Sequence, residues 1–322
     1  MRKFLSLLLT LFGLYSVAQQ DPQFTQNMFN QLDINPGFAG SNDAICATLL
    51  GRQQWLGFKD IDGNKGAPQT YLLSVDGYLK PIHGGLGLTI CQDKVGFENN
   101  LSVKLGYAYR RNIGTGNIGI GLNVGFLNKS IDFTKFKPID NTDPLLYKSG
   151  TTNLLSNSDT KAMIPDLNFG VYYSIPNKIY FGVSTSQLIQ NKATFDNTNI
   201  DLKRHYYVTA GYNYPIPSNP SFEVAPSFFI KSDGTATQFD VNCLVEYNKK
   251  FWGGLTYRIQ DAVGVLIGMN WQDFRIGYSY DITTSAIGSN GRSSGSHEIM
   301  LGYCFKIKTP ESVESYKNVR FL

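Results

Sequence analysis

From residue 44 onward one pattern dominates the chain: apolar residues alternate with small or polar ones in runs of roughly ten. Leu101, Val103, Leu105, Tyr107 and Tyr109 are separated by Ser102, Lys104, Gly106 and Ala108. Phe274, Ile276, Tyr278 and Tyr280 alternate with Arg275, Gly277, Ser279 and Asp281. Ile118 to Phe126 does the same, with Gly119, Gly121, Asn123 and Gly125 between. A period of two places every apolar residue on one face of a β-strand. Fourteen such runs are predicted, at 44–55, 69–78, 84–92, 99–110, 116–133, 166–175, 177–186, 204–214, 221–231, 237–247, 251–258, 263–270, 273–281 and 297–305.

The connections between these runs alternate in length. Every second one is at most six residues long, while the other set includes 56–68, 134–165, 187–203 and 282–296. A β-sandwich gives no reason for such one-sidedness. A bacterial outer-membrane barrel does, because it has an even strand count, short periplasmic turns and longer external loops. Closure follows from the solvent: a free strand edge in lipid leaves N–H and C=O groups unpaired at several kcal/mol each. The expected fold class is therefore all-β, a closed antiparallel transmembrane barrel of about fourteen strands over 44–305. Its apolar face meets lipid, and its small or polar face meets the lumen.

Composition excludes the main rivals. After the leader no stretch offers the ~18 apolar residues of a spanning helix. Aromatic residues reach 13%, too many for a disordered chain. The leader itself reads as an export signal, with Arg2 and Lys3 before the apolar run 4–15 and Ser16-Val17-Ala18 as the small-residue cleavage site. The expected organisation is a signal peptide at 1–18, a periplasmic or lumen-plugging segment at 19–43, the barrel at 44–305 and a periplasmic tail at 306–322. The net charge of +4 falls further when Arg2 and Lys3 are removed, which gives no footing for nucleic acid.

Phe24, Met28 and Phe29 are the apolar members of the otherwise polar stretch after the leader. They are candidate anchors holding that segment into or against the periplasmic mouth. Arg52 shares the lumen face of the first strand with Cys46. Of the four cysteines, Cys91 and Cys243 fall on distant strands, whereas Cys46 and Cys304 fall on the first and last strands, which closure makes neighbours. They are either a disulfide across the seam or two more buried thiols.

No catalytic constellation is visible. His83, His205 and His297 have no metal-ligand spacing, and His297-Glu298 is not a zinc-protease motif. Gly84-Gly85-Leu86-Gly87 and Gly119-Ile120-Gly121 lack the strand–loop–helix context of a phosphate loop. The chain is expected not to be an enzyme and to need no cofactor.

Two blocks carry a family resemblance. Residues 20–30, Gln-Asp-Pro-Gln-Phe-Thr-Gln-Asn-Met-Phe-Asn, followed by Asn35-Pro36-Gly37-Phe38-Ala39-Gly40-Ser41, resemble the start of the PorP/SprF family. Arg52-Gln53-Gln54-Trp55-Leu56-Gly57, Ala67-Pro68-Gln69-Thr70, Gly277-Tyr278-Ser279-Tyr280-Asp281 and Gly295-Ser296-His297-Glu298-Ile299 match in order. These are outer-membrane proteins of the type IX secretion system of Bacteroidetes. The resemblance implies a role in export or surface display of proteins with a C-terminal sorting domain, including gliding adhesins. It implies periplasmic ring proteins and an OmpA-like peptidoglycan-binding protein as partners. Asn35, Pro36, Arg52 and Trp55 join the partner-binding candidates. So do Lys80, Arg111, Lys249 and Lys250, basic residues in or beside the short turns, where Arg110 and Lys178 also lie. The competing expectation, from the lumen that fourteen strands enclose, is a diffusion channel or solute transporter.

Overall fold

The computed structural model describes residues 21–42, 44–58, 66–132, 159–195, 198–285, 288 and 293–305. The expected signal peptide, the tail 306–322 and most of the 134–165 connection lie outside the described residues.

Among the described residues seventeen strands follow in chain order: β1 (Ile45–Gln53), β2 (Gln69–Leu79), β3 (Gly84–Val95), β4 (Glu98–Ile113), β5 (Gly116–Asp132), β6 (Asp159–Ile175), β7 (Ile179–Ser186), β8 (Lys192–Phe195), β9 (Thr198–Asp201), β10 (His205–Tyr212), β11 (Tyr214–Pro215), β12 (Phe222–Ser232), β13 (Thr237–Tyr247), β14 (Phe251–Arg258), β15 (Ala262–Trp271), β16 (Phe274–Thr283) and β17 (Ser296–Phe305). Fourteen of them form a closed antiparallel barrel. Each pairs with its neighbours in sequence, β7 pairs with β10, β10 with β12, and β17 returns to β1. The closing seam runs from Ile45 opposite Phe305 to Gln53 opposite His297. No helix among the described residues is long and apolar enough to cross a membrane.

Alternation decides which way each side chain points. Along β13, Val241 and Val245 are exposed while Asp240, Asn242 and Leu244 are buried. Leu255 is 60% exposed and Ile299 62%. In water a continuous apolar belt of this kind is an aggregation liability; facing lipid it is the stabilising surface. Aromatics such as Tyr109, Tyr212, Tyr247, Phe251 and Phe305 stand on the outer face near the short-turn ends.

The structure differs from the sequence expectation in three places. β6 begins at Asp159, so its partner β5 stays paired out to Asp132. The polar Asp159-Thr160-Lys161 disguised this extension as loop. Strands β4 to β6, of 16, 17 and 17 residues, exceed the ~9–11 needed to cross the hydrocarbon. Second, the connection after β7 carries the β8–β9 hairpin. Its Ala193, Phe195 and neighbouring Leu202 pack on Ile131, Ala162 and Ile164 of that extension, which gives the long strands an apolar partner there. Third, the run expected at 204–214 forms β10, which ends at Tyr212, and Tyr214-Pro215 forms a separate short strand against β12. Proline cannot donate to a ladder and belongs at an edge or bend.

Candidate functional site in the barrel lumen

The lumen is occupied by the chain's own N-terminal segment. Residues 21–42 enter at Asp21 beside the ends of β7, β10 and β12 that carry the long connections. They descend inside the barrel and leave at Gly40 between β2 and β3, at the short-turn end. On the way the segment forms three single turns, Asn27–Phe29, Gln31–Ile34 and Pro36–Phe38. The last turn follows from Asn-Pro. Asn35 before proline is held extended (φ −137°, ψ 110°), proline suits the first helical position, and the Asn35 side chain accepts the Gly37 N–H at 2.8 Å.

A buried charge cluster grips the upper part. Glu298 Oε2 and Oε1 accept the backbone N–H groups of Thr25 and Gln26, both at 2.8 Å. Arg52 donates to Glu298 at 2.9 Å, to Asp281 at 2.8 Å and to the Thr25 hydroxyl at 2.7 Å. The Thr25 hydroxyl in turn donates to Asp281 at 2.6 Å. Arg258 pairs with Asp240, Asp261 and Asp281 at 3.2–3.6 Å. These two guanidinium groups face four carboxylates. The N–H groups of the segment therefore supply part of the compensation that buried carboxylates require.

Lower down, wall and segment exchange hydrogen bonds between side chains and backbone. Ser184 donates to the Ile34 carbonyl at 2.7 Å, and Asn35 donates to the Val171 carbonyl at 2.9 Å. Arg110 spans the carbonyls of Gly37, Phe38 and Ala39 at 3.3–3.5 Å, and Asp76 accepts the Gly40 N–H at 2.8 Å. The glycine-rich strands are the seat for this stretch. A Cβ on Gly121 would lie 2.3 Å from the Pro36 carbonyl carbon. Gly40 adopts φ +70° where it passes Gly85.

Of the candidate residues, Phe24, Met28, Phe29, Asn35, Pro36 and Arg52 meet inside the barrel. Phe24 packs with Leu50, Leu72 and Cys91. Met28 and Phe29 pack on Leu244, Trp252, Leu266 and Met300, and the Arg275 guanidinium lies 4.8 Å from the Phe29 ring centre. Trp55 stands half-buried at the start of the β1–β2 connection. Lys80, Arg111, Lys249 and Lys250 are exposed and spread over three separate short turns, away from the other six. Arg110, from the same sequence cluster as Arg111, points inward to the segment instead. Cys46 and Cys304 are direct register partners and are joined by a disulfide, while Cys91 and Cys243 are free. Thr25, Gln26, Asp281 and Glu298 lie in the blocks that carry the family resemblance but are not among the candidate site residues, and neither is Arg258. The available signal was charge recurring at the small-residue phase of β14, β16 and β17.

Above the segment, toward the long connections, lies a cavity of about 1340 Å³. Asp21 to Phe24, Asn27, Asp33 and Ile34 form its floor. Asp21 is held there by the hydroxyls of Tyr207 and Ser186, by His205 Nδ1 at 3.6 Å and by Lys231, which bonds its backbone carbonyl at 3.0 Å. Burial alone would raise the Asp21 carboxyl, but His205, Lys104, Tyr207 and Lys231 together hold it below the usual carboxylate value.

The sequence pattern of the family described as type IX secretion system membrane protein PorP/SprF matches residues 16–303. No curated protein sequence matches the chain. Among solved structures, the Ralstonia pickettii toluene transporter TbuX is similar at TM-score 0.48 and 11% identity, covering 85% of this chain and 92% of that one. The P. putida toluene transporter TodX is similar at 0.47 and 10%, covering 86% and 93%. The Acinetobacter baumannii outer membrane protein Omp33 is similar at 0.44 and 6%, covering 82% and 99%.

Proposed function

The chain belongs to the PorP/SprF family of type IX secretion system membrane proteins, and from that premise we propose that it is a plugged outer-membrane component that binds protein partners rather than passing solutes. One observation carries this reading: the lumen is crossed by residues 21–42, bonded to carboxylates, carbonyls and side chains of strands all round the barrel. A diffusion pore requires a water-filled path, and here polar groups of several wall strands bond the segment that crosses it.

In this reading the leader 1–18 is cleaved on export. The short turns face the periplasm and the long connections face outward. Lys80, Arg111, Lys249 and Lys250, exposed at the short-turn end, offer a basic rim to the periplasmic ring proteins and the OmpA-like peptidoglycan-binding protein. The tail 306–322 lies on the same side, and the outer connections meet an exported protein with a C-terminal sorting domain, such as an adhesin. The cavity supports the competing channel reading only if the segment below it can leave.

Affinity capture of the full chain from the native envelope tests the proposal. It is expected to bring down secretion-ring proteins and an exported cargo protein. Their absence, with capture of solute-uptake proteins instead, would overturn it.

A further inference from the structure

The cavity above the segment has a feature that plugging does not explain. At about 1340 Å³ it exceeds the ~300–1,000 Å³ of small-molecule sites. Among the described residues of its wall and floor, carboxylates outnumber lysines two to one. Each lysine is already engaged: Lys129 bonds Glu98, Lys231 bonds the Asp21 and Pro22 carbonyls, and Lys104 bonds Asp33 at 3.4 Å while its charge also reaches Asp166.

Two acceptor pairs remain. Asp166 Oδ2 accepts from Asn168 Nδ2 at 3.2 Å, while its Oδ1 is buried with no donor. Asn168 also accepts the Gln187 N–H at 2.9 Å, which places Gln187 beside it, and Gln187 Oε1 is a second buried acceptor with no donor. On the neighbouring wall Asp93 and Asn100 are direct register partners between β3 and β4. Asp93 Oδ1 takes one hydrogen bond, from Thr70 at 2.6 Å, and Asn100 Oδ1 takes none. Asp93 and Asp166 are only 7% and 9% exposed. Buried acceptors without donors are costly, and a carboxylate beside an amide carbonyl matches an ammonium or guanidinium donor.

We propose that this cavity binds basic side chains, arginine or lysine, carried on an extended polypeptide segment entering from the long-connection end. Asp166 with Gln187, and Asp93 with Asn100, are the two receiving positions. The volume favours a peptide over a single small cation. The proposal stands on the cavity alone, so it can fail while partner capture succeeds, and the reverse.

Calorimetric titration of the full chain in nanodiscs tests it. The probes are a neutral-capped Gly/Ser nonapeptide with two arginines, the same peptide with citrulline in their place, and spermidine. The arginine peptide should bind saturably and the citrulline peptide at least tenfold more weakly. In the double variant Asp93→Asn/Asp166→Asn, affinity for the arginine peptide should fall at least tenfold with an unchanged melting temperature. The single variant Asp166→Asn, less perturbing to the fold, should show a smaller loss in the same direction. Binding of spermidine but not the peptide would keep the cation chemistry and overturn the polypeptide source. Equal binding of the citrulline peptide, no effect of either variant, or no binding by any probe would overturn the site.

Discussion

Cys46 and Cys304 face each other across the seam where the first barrel strand meets the last, with their Cα atoms 4.1 Å apart and their sulfurs bonded. The bond closes a loop of 258 residues. In the chain-entropy model such a cross-link contributes ~5 kcal/mol by restricting the unfolded chain. Cys46→Ser/Cys304→Ser is therefore expected to assemble a barrel whose heat-unfolding temperature in detergent is lower than wild type. Addition of a reductant during heating should lower the wild-type temperature toward that of the variant.

The segment's grip is expected to depend on Glu298 and Arg52. Removal of one partner from a buried ion pair costs about 3–5 kcal/mol. Glu298→Ala removes one of the two carboxylates paired with Arg52, leaving Asp281, and frees the Thr25 and Gln26 N–H groups. Hydrogen exchange at 24–27 should accelerate by more than tenfold in this variant, while amides in the barrel strands change little. Lys249→Ala, at an exposed turn, should leave both unchanged.

The Asp21 carboxyl lies below its unfolded value, so its contribution is present above roughly pH 4 and is lost as pH falls through the lower folded value. Protection of residues 21–24 from exchange is expected to be flat from pH 7 to about 4 and to decline below that. Asp21→Asn should remove this acid-dependent step. A decline centred near neutrality would point to another group.

Gly121 tests the close approach of Pro36. A side chain there meets backbone at 2.3 Å, and rigid backbone cannot yield as a side chain does. Gly121→Val is expected to loosen 35–40, read as new proteolytic cleavage in that stretch, with strand content by circular dichroism unchanged. Gly51→Val, in β1 with only the Tyr71 side chain nearby at 3.6 Å, is the matched comparison for proteolysis.

The barrel was legible because lipid on one side and a lumen on the other impose a period of two that no connection obscures. Most of the barrel strands follow it along their length, as β13 does. The extension of β6 and the β8–β9 hairpin did not show, since Asp159-Thr160-Lys161 and Lys192-Ala193-Thr194-Phe195 carry too few apolar residues to set a phase. The lumen residues were read correctly as inward-facing, but what they meet was not. Glycine at Gly121 fits a wet lumen and a backbone seat equally well. Glu298 and Asp281 look like lumen charges until Thr25 and Gln26 are brought beside them by tertiary folding. Arg110 and Arg111 show the same ambiguity: adjacent in sequence, they point to opposite faces, and only the register of β4 decides which reaches the segment.

Single-channel recording of the purified wild-type chain in a planar bilayer tests the plugged barrel most directly. With residues 21–42 bonded through the lumen, insertion is expected to give no steady current above the bare membrane at moderate voltage. Stable, ohmic, large-conductance steps from the disulfide-intact wild-type protein would contradict the account, because ions would then be crossing the space assigned to the N-terminal segment.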